Sequence, residues 1–139
     1  MKINVQPVVL SGEVTRFQGN GRRLGYPTAN IRVETDLKEG VYFGFANLVT
    51  FLEKPSLIFI GVPKTMGDSD RRVEVHILDI PDVDYYKNTI TVSIELFHRS
   101  NHRFKTIQEL VNTMHADEAA AHEWFKLHSL PSIEMQAGS

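Results

Sequence analysis

Thr28 and Asn30 are the side chains whose type and spacing best suit a metal ion. Pro27 fixes its own φ and biases Tyr26 toward an extended backbone. In an extended segment, Thr28 and Asn30 face the same side. A hydroxyl oxygen and an amide oxygen form a hard, neutral ligand pair, and Mg²⁺ needs few protein ligands besides water and phosphate oxygens. The same two side chains could instead hydrogen-bond locally and shape a turn.

Glu74 is the candidate for proton transfer. It lies in an alternating stretch in which Val73 and Val75 point one way, and Glu74 and His76 point the other. Glu is disfavoured inside strands. If this face lines a cleft, the carboxylate can accept a proton from a substrate hydroxyl. The alternative is a solvated outer face, the usual place for Glu in an antiparallel strand.

A glycine-rich stretch, residues 19–25, precedes the Thr28 segment. Its notable residues are Gly19, Gly21, Arg22, Arg23 and Gly25. Glycine permits positive φ and close backbone approach, so N–H groups could converge on an anion, and the arginines could add charge. The stretch matches neither a Walker A loop nor the dinucleotide-binding fingerprint, and an ordinary turn is the alternative interpretation.

Residues 97–104 form an aromatic and basic segment between the last predicted strand and a predicted helix. A loop of this kind at a barrel rim could hold a planar aromatic ligand or a phosphate. The alternative is a solvated connector with Phe104 tucked under the helix. The histidines of this region lack a zinc spacing pattern, so we expect no metal site from them.

The strands and helix that would position these residues follow from hydrophobic periodicity. Strands are predicted at residues 8–16, 41–51, 57–62, 72–78 and 90–96. Thr106 and Glu109 fit a capping box ahead of a helical apolar stripe, and Asp117 could cap a second helix. We therefore expect one mainly β domain over residues 1–139, a small closed or nearly closed barrel with a C-terminal helix. Its core covers about residues 8–128, and we expect a flexible tail at 129–139.

The composition limits the classes of function. A net charge of -2 offers no general attraction to a polyanion, so we expect no nucleic-acid and no membrane partner. The chain contains no Cys, which excludes thiol catalysis, iron–sulfur clusters and Cys-ligated zinc. The first seven residues do not form a signal peptide, and no apolar run approaches the roughly 20 residues of a spanning helix. We expect a cytoplasmic monomer.

A specific ordered set of motifs runs along most of the chain, from about residue 8 to residue 125. The set comprises Gly-Glu-Val at 12–14, the glycine-rich stretch, Leu-Gly-Tyr-Pro-Thr-Ala-Asn at 24–30, Gly-Val-Tyr at 40–42, Ile-Gly at 60–61, Val-Glu-Val-His-Ile-Leu-Asp at 73–79, Asp-Tyr-Tyr at 84–86, Arg99 with Phe104, and Asp117. No single motif is decisive, but the ordered set resembles the riboflavin kinase (flavokinase) family.

The resemblance implies a six-stranded Greek-key β-barrel with a C-terminal α-helix. It also implies transfer of the ATP γ-phosphoryl group to the 5′-hydroxyl of riboflavin, giving FMN and ADP. Glu74 would be the catalytic base, and Thr28 and Asn30 would bind Mg²⁺, with Mn²⁺ or Zn²⁺ as alternatives. By the same resemblance, the nucleotide would contact Gly19, Gly21, Arg22, Arg23, Gly25, Thr28, Asn30, Ile77 and Tyr86, and the flavin would contact Arg99 and Phe104.

The chain departs from the family pattern at several positions. Phe17 stands where the phosphate loop usually begins with glycine, and Asn101 stands where the flavin loop often carries Glu. Phe17 could narrow the nucleotide cleft, and Asn101 could weaken closure of the flavin loop. These departures leave open a second hypothesis, a non-catalytic flavin- or nucleotide-binding module on the same barrel.

Overall fold

A computed structural model describes residues 8–15, 28–48, 52–61, 72–79 and 87–137, with side chains through residue 128. Along these residues run β1 (Val8–Thr15), β2 (Ala29–Arg32), β3 (Gly40–Asn47), β4 (Lys54–Gly61), β5 (Arg72–Ile77), β6 (Thr89–Arg99) and α1 (Ile107–Ala137). The five predicted strands are confirmed. The short strand β2 was predicted only as an extended segment. The chain divides into two compact units, residues 1–102 and 103–139.

The six strands of the first unit close into an antiparallel barrel in the order β1-β2-β5-β4-β3-β6. β3, β4 and β5 are consecutive neighbours, and β2 lies against β5, which is the Greek-key arrangement. Closure leaves no free strand edge in the barrel. The predicted fold class is therefore confirmed.

The alternation of side chains along each strand decides which residues fill the barrel. Val73 and Val75 of β5 belong to the buried core, as does Ala29 of β2. Because successive side chains of a strand point to opposite faces, Glu74 and Asn30 lie on the outer face. Glu74 was predicted on the strand face opposite Val73 and Val75, and Asn30 on the same face as Thr28.

Gly40 allows β6 to approach the start of β3 closely. Its φ is +153°, and a Cβ atom at this position would stand 2.5 Å from the carbonyl oxygen of Arg99 and 2.6 Å from the Phe97 ring. No side chain fits there without a backbone shift. The glycine therefore fixes where the end of β6, which carries Arg99, passes the barrel.

The helix of the second unit begins at the predicted cap. The N–H of Glu109 donates to Oγ1 of Thr106 over 3.1 Å, and the N–H of Lys105 donates to Oε1 of Glu109 over 3.1 Å. These two bonds satisfy N–H groups that the first helical turn cannot pair internally.

From this cap, α1 runs unbroken to Ala137, so the prediction that Asp117 caps a second helix is wrong. The alanines at 119–121 favour helix strongly, and Asp in a helix interior costs only a few tenths of a kcal/mol, about 0.7 at most. Asp117 is instead buried at helical spacing with Met114, Ala121 and Phe125. The flexible tail at 129–139 stays a prediction. No helix in the described part of the chain is long and apolar enough to cross a membrane.

Candidate active site

Thr28 and Glu74 meet on the outer face of the barrel, although they are 46 residues apart in the chain. The Thr28 hydroxyl donates a hydrogen bond to Oε1 of Glu74 over 3.1 Å. The ladder between β2 and β5 explains this contact, because Asn30 lies directly opposite Glu74 and Thr28 occupies the diagonal position. The three side chains on which the sequence analysis concentrated are thus neighbours.

Asn30 carries an unusual feature for a buried residue. Its side chain is only 4% exposed, and its Oδ1 atom has no hydrogen-bond partner among the residues that the structure describes. An unpaired buried acceptor costs about 1–3 kcal/mol. The local-turn interpretation does not account for Oδ1, because the Thr15 hydroxyl of the paired strand β1 donates to the backbone carbonyl of Asn30 and not to its side chain. The free oxygen suits a cation or a donor from a ligand.

The carboxyl group of Glu74 is poorly hydrated. Burial raises its pKa above the ordinary value of 4.5, and the hydrogen bond from Thr28 and the charge of Arg72 offset this only in part. The solvated outer face considered from the sequence is therefore wrong for Glu74, which is half-buried. A carboxylate with a raised pKa is a stronger base than an exposed one. Proton abstraction from a hydroxyl is the chemistry that this environment favours.

The opposite flank of Glu74 is apolar. β5 lies between β2 and β4, and Phe59 of β4 stands directly opposite Glu74 in the ladder. Sequence reasoning missed Phe59, because it lies inside a continuous apolar run, residues 57–62, that shows no alternation. Side chains alternate along a strand, and Ile58 and Ile60 fill the core, so this alternation would have placed Phe59 on the outer face.

The two neutral oxygens of Thr28 and Asn30 fit a hard divalent cation. Within the described ranges, no three His, Cys, Asp or Glu side chains lie together as a metal cluster. A cation here would rely on the Thr28 hydroxyl and the Asn30 amide, and phosphate oxygens and water would complete its coordination. The Thr28 hydroxyl uses its hydrogen for Glu74, so its oxygen lone pairs stay available.

Arg99 lies on the same barrel face but several strands away from Glu74. The ladder places Glu74 opposite Phe59, Phe59 opposite Val41, and Val41 opposite Arg99. Three strand spacings of about 4.8 Å amount to about 14 Å along the sheet. The Arg99 guanidinium donates to the carbonyl of Ser100 over 2.9 Å. Arg99 is therefore not brought into contact with the Glu74 cluster, and a ligand joining the two must be long.

The structure does not test the remaining predicted contacts with the nucleotide and the flavin. Ile77 points into the barrel core and is 6% exposed, so its nucleotide contact stays a prediction, as does the flavin contact of the half-buried Phe104. Several predicted residues lie outside the described ranges: Phe17, Gly19, Gly21, Arg22, Arg23, Gly25 and Tyr86.

Asn101 has a defined partner. Its Nδ2 donates to the backbone carbonyl of Ile60 over 3.1 Å. This bond ties the segment that follows β6 to the end of β4. The family often has Glu at this position, and an ionised Glu carboxylate can only accept hydrogen bonds. Asn101 instead provides an N–H donor for the carbonyl.

Comparison with known proteins identifies a family and its fold. The profile described as Flavokinase, riboflavin kinase, matches residues 4–125. The bifunctional riboflavin kinase/FMN adenylyltransferase of Escherichia coli (strain K12) is 32% identical over 125 residues, which cover 87% of this chain and 39% of that protein.

Two solved structures share the architecture. The riboflavin kinase from Trypanosoma brucei superimposes with a TM-score of 0.68 and 25% identity over 88% of this chain and 79% of that one. A structure described as a macrolide-efflux protein from Streptococcus pneumoniae gives a TM-score of 0.75 and 27% identity over 85% of this chain. The chain spans 39% of the Streptococcus protein and the same share of the bifunctional relative. The similarity to those two proteins therefore concerns only part of each.

Proposed function

The chain belongs to the riboflavin kinase (flavokinase) family, and on this basis we propose that it transfers the γ-phosphoryl group of ATP to the 5′-hydroxyl of riboflavin, giving FMN and ADP. The observation that carries the proposal is the contact of Thr28 with Glu74 beside the unpaired oxygen of Asn30. These are the three side chains that the family resemblance assigns to the reaction.

Glu74 acts as the general base. The 5′-oxygen of the ribityl chain forms a bond to the γ-phosphorus, the bond from that phosphorus to the bridging oxygen of ADP breaks, and the hydroxyl proton passes to Glu74. General base catalysis of this kind contributes about 10²–10⁴-fold. The raised pKa of Glu74 supports this role, because burial makes its carboxylate a better proton acceptor. The hydrogen bond from Thr28 holds the carboxylate in one orientation.

Thr28 and Asn30 hold a divalent cation together with the ATP phosphates. Mg²⁺ is the preferred candidate, because both ligands are neutral oxygens and neither adds a negative charge beside the phosphates. When bound, such an ion neutralises charge that develops on the β- and γ-phosphoryl oxygens. The unpaired Oδ1 of Asn30 supports this assignment. The glycine-rich stretch at 19–25 stays the proposed phosphate loop.

The flavin extends from Glu74 along the outer face past Phe59, which stands opposite Glu74 on β4. Arg99 lies three strands from β5 in either direction around the closed barrel, and Val41 between them is 0% exposed, so the flavin contact of Arg99 stays a prediction. We further propose that the chain acts as a cytoplasmic monomer without nucleic acid, which its small net charge supports.

Incubation of the purified protein with riboflavin, ATP and Mg²⁺ tests the proposal, with FMN separated from riboflavin by chromatography and detected by fluorescence. FMN and ADP are the expected products. Glu74→Gln is expected to lose most turnover, about 10²-fold or more, with riboflavin affinity retained. The matched control is Glu95→Gln, which changes an exposed carboxylate on β6.

Two results would count against the proposal. Formation of no FMN with Mg²⁺, Mn²⁺ or Zn²⁺ would refute the kinase activity. If the protein then still quenched riboflavin fluorescence, the non-catalytic binding module would be the better description. Elution as a dimer in size-exclusion chromatography would contradict the proposal that the protein is a monomer.

A further inference from the structure

We propose that Phe59 shields Glu74 from water, so that the phosphoryl group passes to the alcohol rather than to water. The inference rests on the proposed kinase activity and assigns a role to a residue outside the motif set. Phe59 is a positioning residue in this scheme, because it controls what reaches the base and takes no part in proton transfer.

The ladder places Phe59 beside the base. Ile58 and Ile60 fill the barrel core, so Phe59 between them points outward. It lies directly opposite Glu74 on the neighbouring strand, and directly opposite residues of antiparallel strands have Cβ atoms about 5 Å apart. A phenyl ring at that distance covers one side of the carboxylate.

The exposure of β4 shows that this ring is accessible to a ligand. Leu57, two residues earlier on the same face, is 1% exposed, whereas Phe59 is only half-buried. The ring is therefore part of the surface beside Glu74 rather than part of a sealed interior. A substrate that reaches Glu74 can pack against it and exclude the remaining water.

Glu74 consequently has two unlike flanks. Asn30 lies opposite it on β2 with an unpaired oxygen, and Phe59 lies opposite it on β4 with no polar group. The polar flank suits phosphate and its cation, and the apolar flank gives water no hydrogen-bond partner.

Water is the natural competitor of the 5′-hydroxyl. If a water oxygen attacks the γ-phosphorus, the bond to the bridging oxygen of ADP breaks in the same way and the water proton passes to Glu74. The products are ADP and inorganic phosphate, and no FMN forms. Exclusion of water from the site suppresses this side reaction. The ratio of ADP to FMN therefore reports the shielding directly.

The experiment compares three variants of one position with a matched control. Phe59→Leu keeps apolar bulk, Phe59→Val shortens it, and Phe59→Thr adds a hydroxyl while keeping strand propensity. The control is Phe45→Thr, which changes another half-buried, outward phenylalanine, on β3. Phe45 pairs with Pro55, four residues along β4 from Phe59, which is about 13 Å away. ADP and FMN are quantified in the same reaction, with ATP hydrolysis in a reaction without protein subtracted.

We expect one ADP per FMN for the wild type and for Phe45→Thr. The ratio should rise through Leu and Val to at least about two for Phe59→Thr. If Phe59→Thr does not fold, the increase from Leu to Val decides the question. An unchanged ratio in a folded Val or Thr variant would overturn the inference, as would an equal rise in Phe45→Thr. A wild type that forms no FMN would refute the proposed function and the inference with it.

Discussion

Replacement of Asn30 by Leu should make the metal-free protein more stable while it removes activity. Oδ1 of Asn30 is buried without a partner among the described residues, and an unsatisfied buried acceptor costs about 1–3 kcal/mol. Leucine has the same number of side-chain heavy atoms with the same branching, and it removes that cost. Any hydrogen bond of the amide nitrogen is lost at about 0.5–1.5 kcal/mol. The net expectation is a gain of about 1 kcal/mol.

The assay is thermal or urea unfolding in EDTA, compared with Asn47→Leu as the matched control. Oδ1 of Asn47 accepts a hydrogen bond from the Glu53 N–H over 2.7 Å, so the same substitution there should destabilise by about 0.5–1.5 kcal/mol. For a domain of this size, 1 kcal/mol corresponds to about 3–5 °C in Tm. The two variants should therefore move Tm in opposite directions.

Addition of Mg²⁺ and ADP completes this test. A ligand at about 100 times its Kd stabilises the folded state by about 2.7 kcal/mol, and we expect this for the wild type but not for Asn30→Leu. If Asn30→Leu destabilises the metal-free protein as much as Asn47→Leu, the Asn30 oxygen is satisfied in solution and the metal assignment loses its main support. Retention of kinase activity by Asn30→Leu would refute the assignment outright.

Three further predictions concern stability. Burial raises the pKa of Glu74 above 4.5, so the Glu74→Gln variant and the wild type should have similar free energies of unfolding below that pH. As the pH rises, the wild type must bury a charged carboxylate, and the variant should become progressively more stable than the wild type in urea unfolding from pH 4 to 8. A stability difference that does not change with pH would contradict this. Asn101→Asp replaces the donor to the Ile60 carbonyl with an acceptor and should lower the free energy of unfolding in urea by about 1–2 kcal/mol. Asn101→Gln keeps a donor and should lower it less. Equal losses in the two variants would argue against the hydrogen bond. Gly40→Ala meets the Arg99 carbonyl at 2.5 Å and should lose more than about 2 kcal/mol by thermal unfolding; a loss below about 1 kcal/mol would show that the backbone yields there.

The Asn30 and Glu74 predictions share one physical cause. The site has an amide oxygen at Asn30 that no described residue pairs with, and a poorly hydrated carboxyl at Glu74. Both features oppose folding, and both become favourable only when a ligand supplies the missing partner. The closed barrel tolerates them because the strands on which they lie are held on both sides by ladder hydrogen bonds. Substitutions that raise stability at these two positions should therefore lower activity.

Local sequence patterns determined much of the architecture. Alternation over residues 72–78 is enough to place Val73 and Val75 on one face and Glu74 on the other, since the period of a strand is two. The Thr106 cap is likewise a local device, because its partner Glu109 lies within one helical turn. Pro27 fixes its own φ and biases Tyr26 toward an extended backbone, and in an extended segment Thr28 and Asn30 share a face. The ordered motifs were sufficient to identify the family.

Only the tertiary structure decided which residues on the outer face of the barrel become neighbours. Thr28 and Glu74 are 46 residues apart, and no local pattern states that β2 pairs with β5 or that Asn30 stands opposite Glu74. The same holds for Phe59, whose importance follows from its place across the ladder from Glu74. Asp117 was misassigned because a capping residue and a buried Asp inside a long helix have the same local sequence. Pairing register and burial depend on contacts between distant segments. These contacts raise the pKa of Glu74 and leave the Asn30 oxygen without a partner among the described residues.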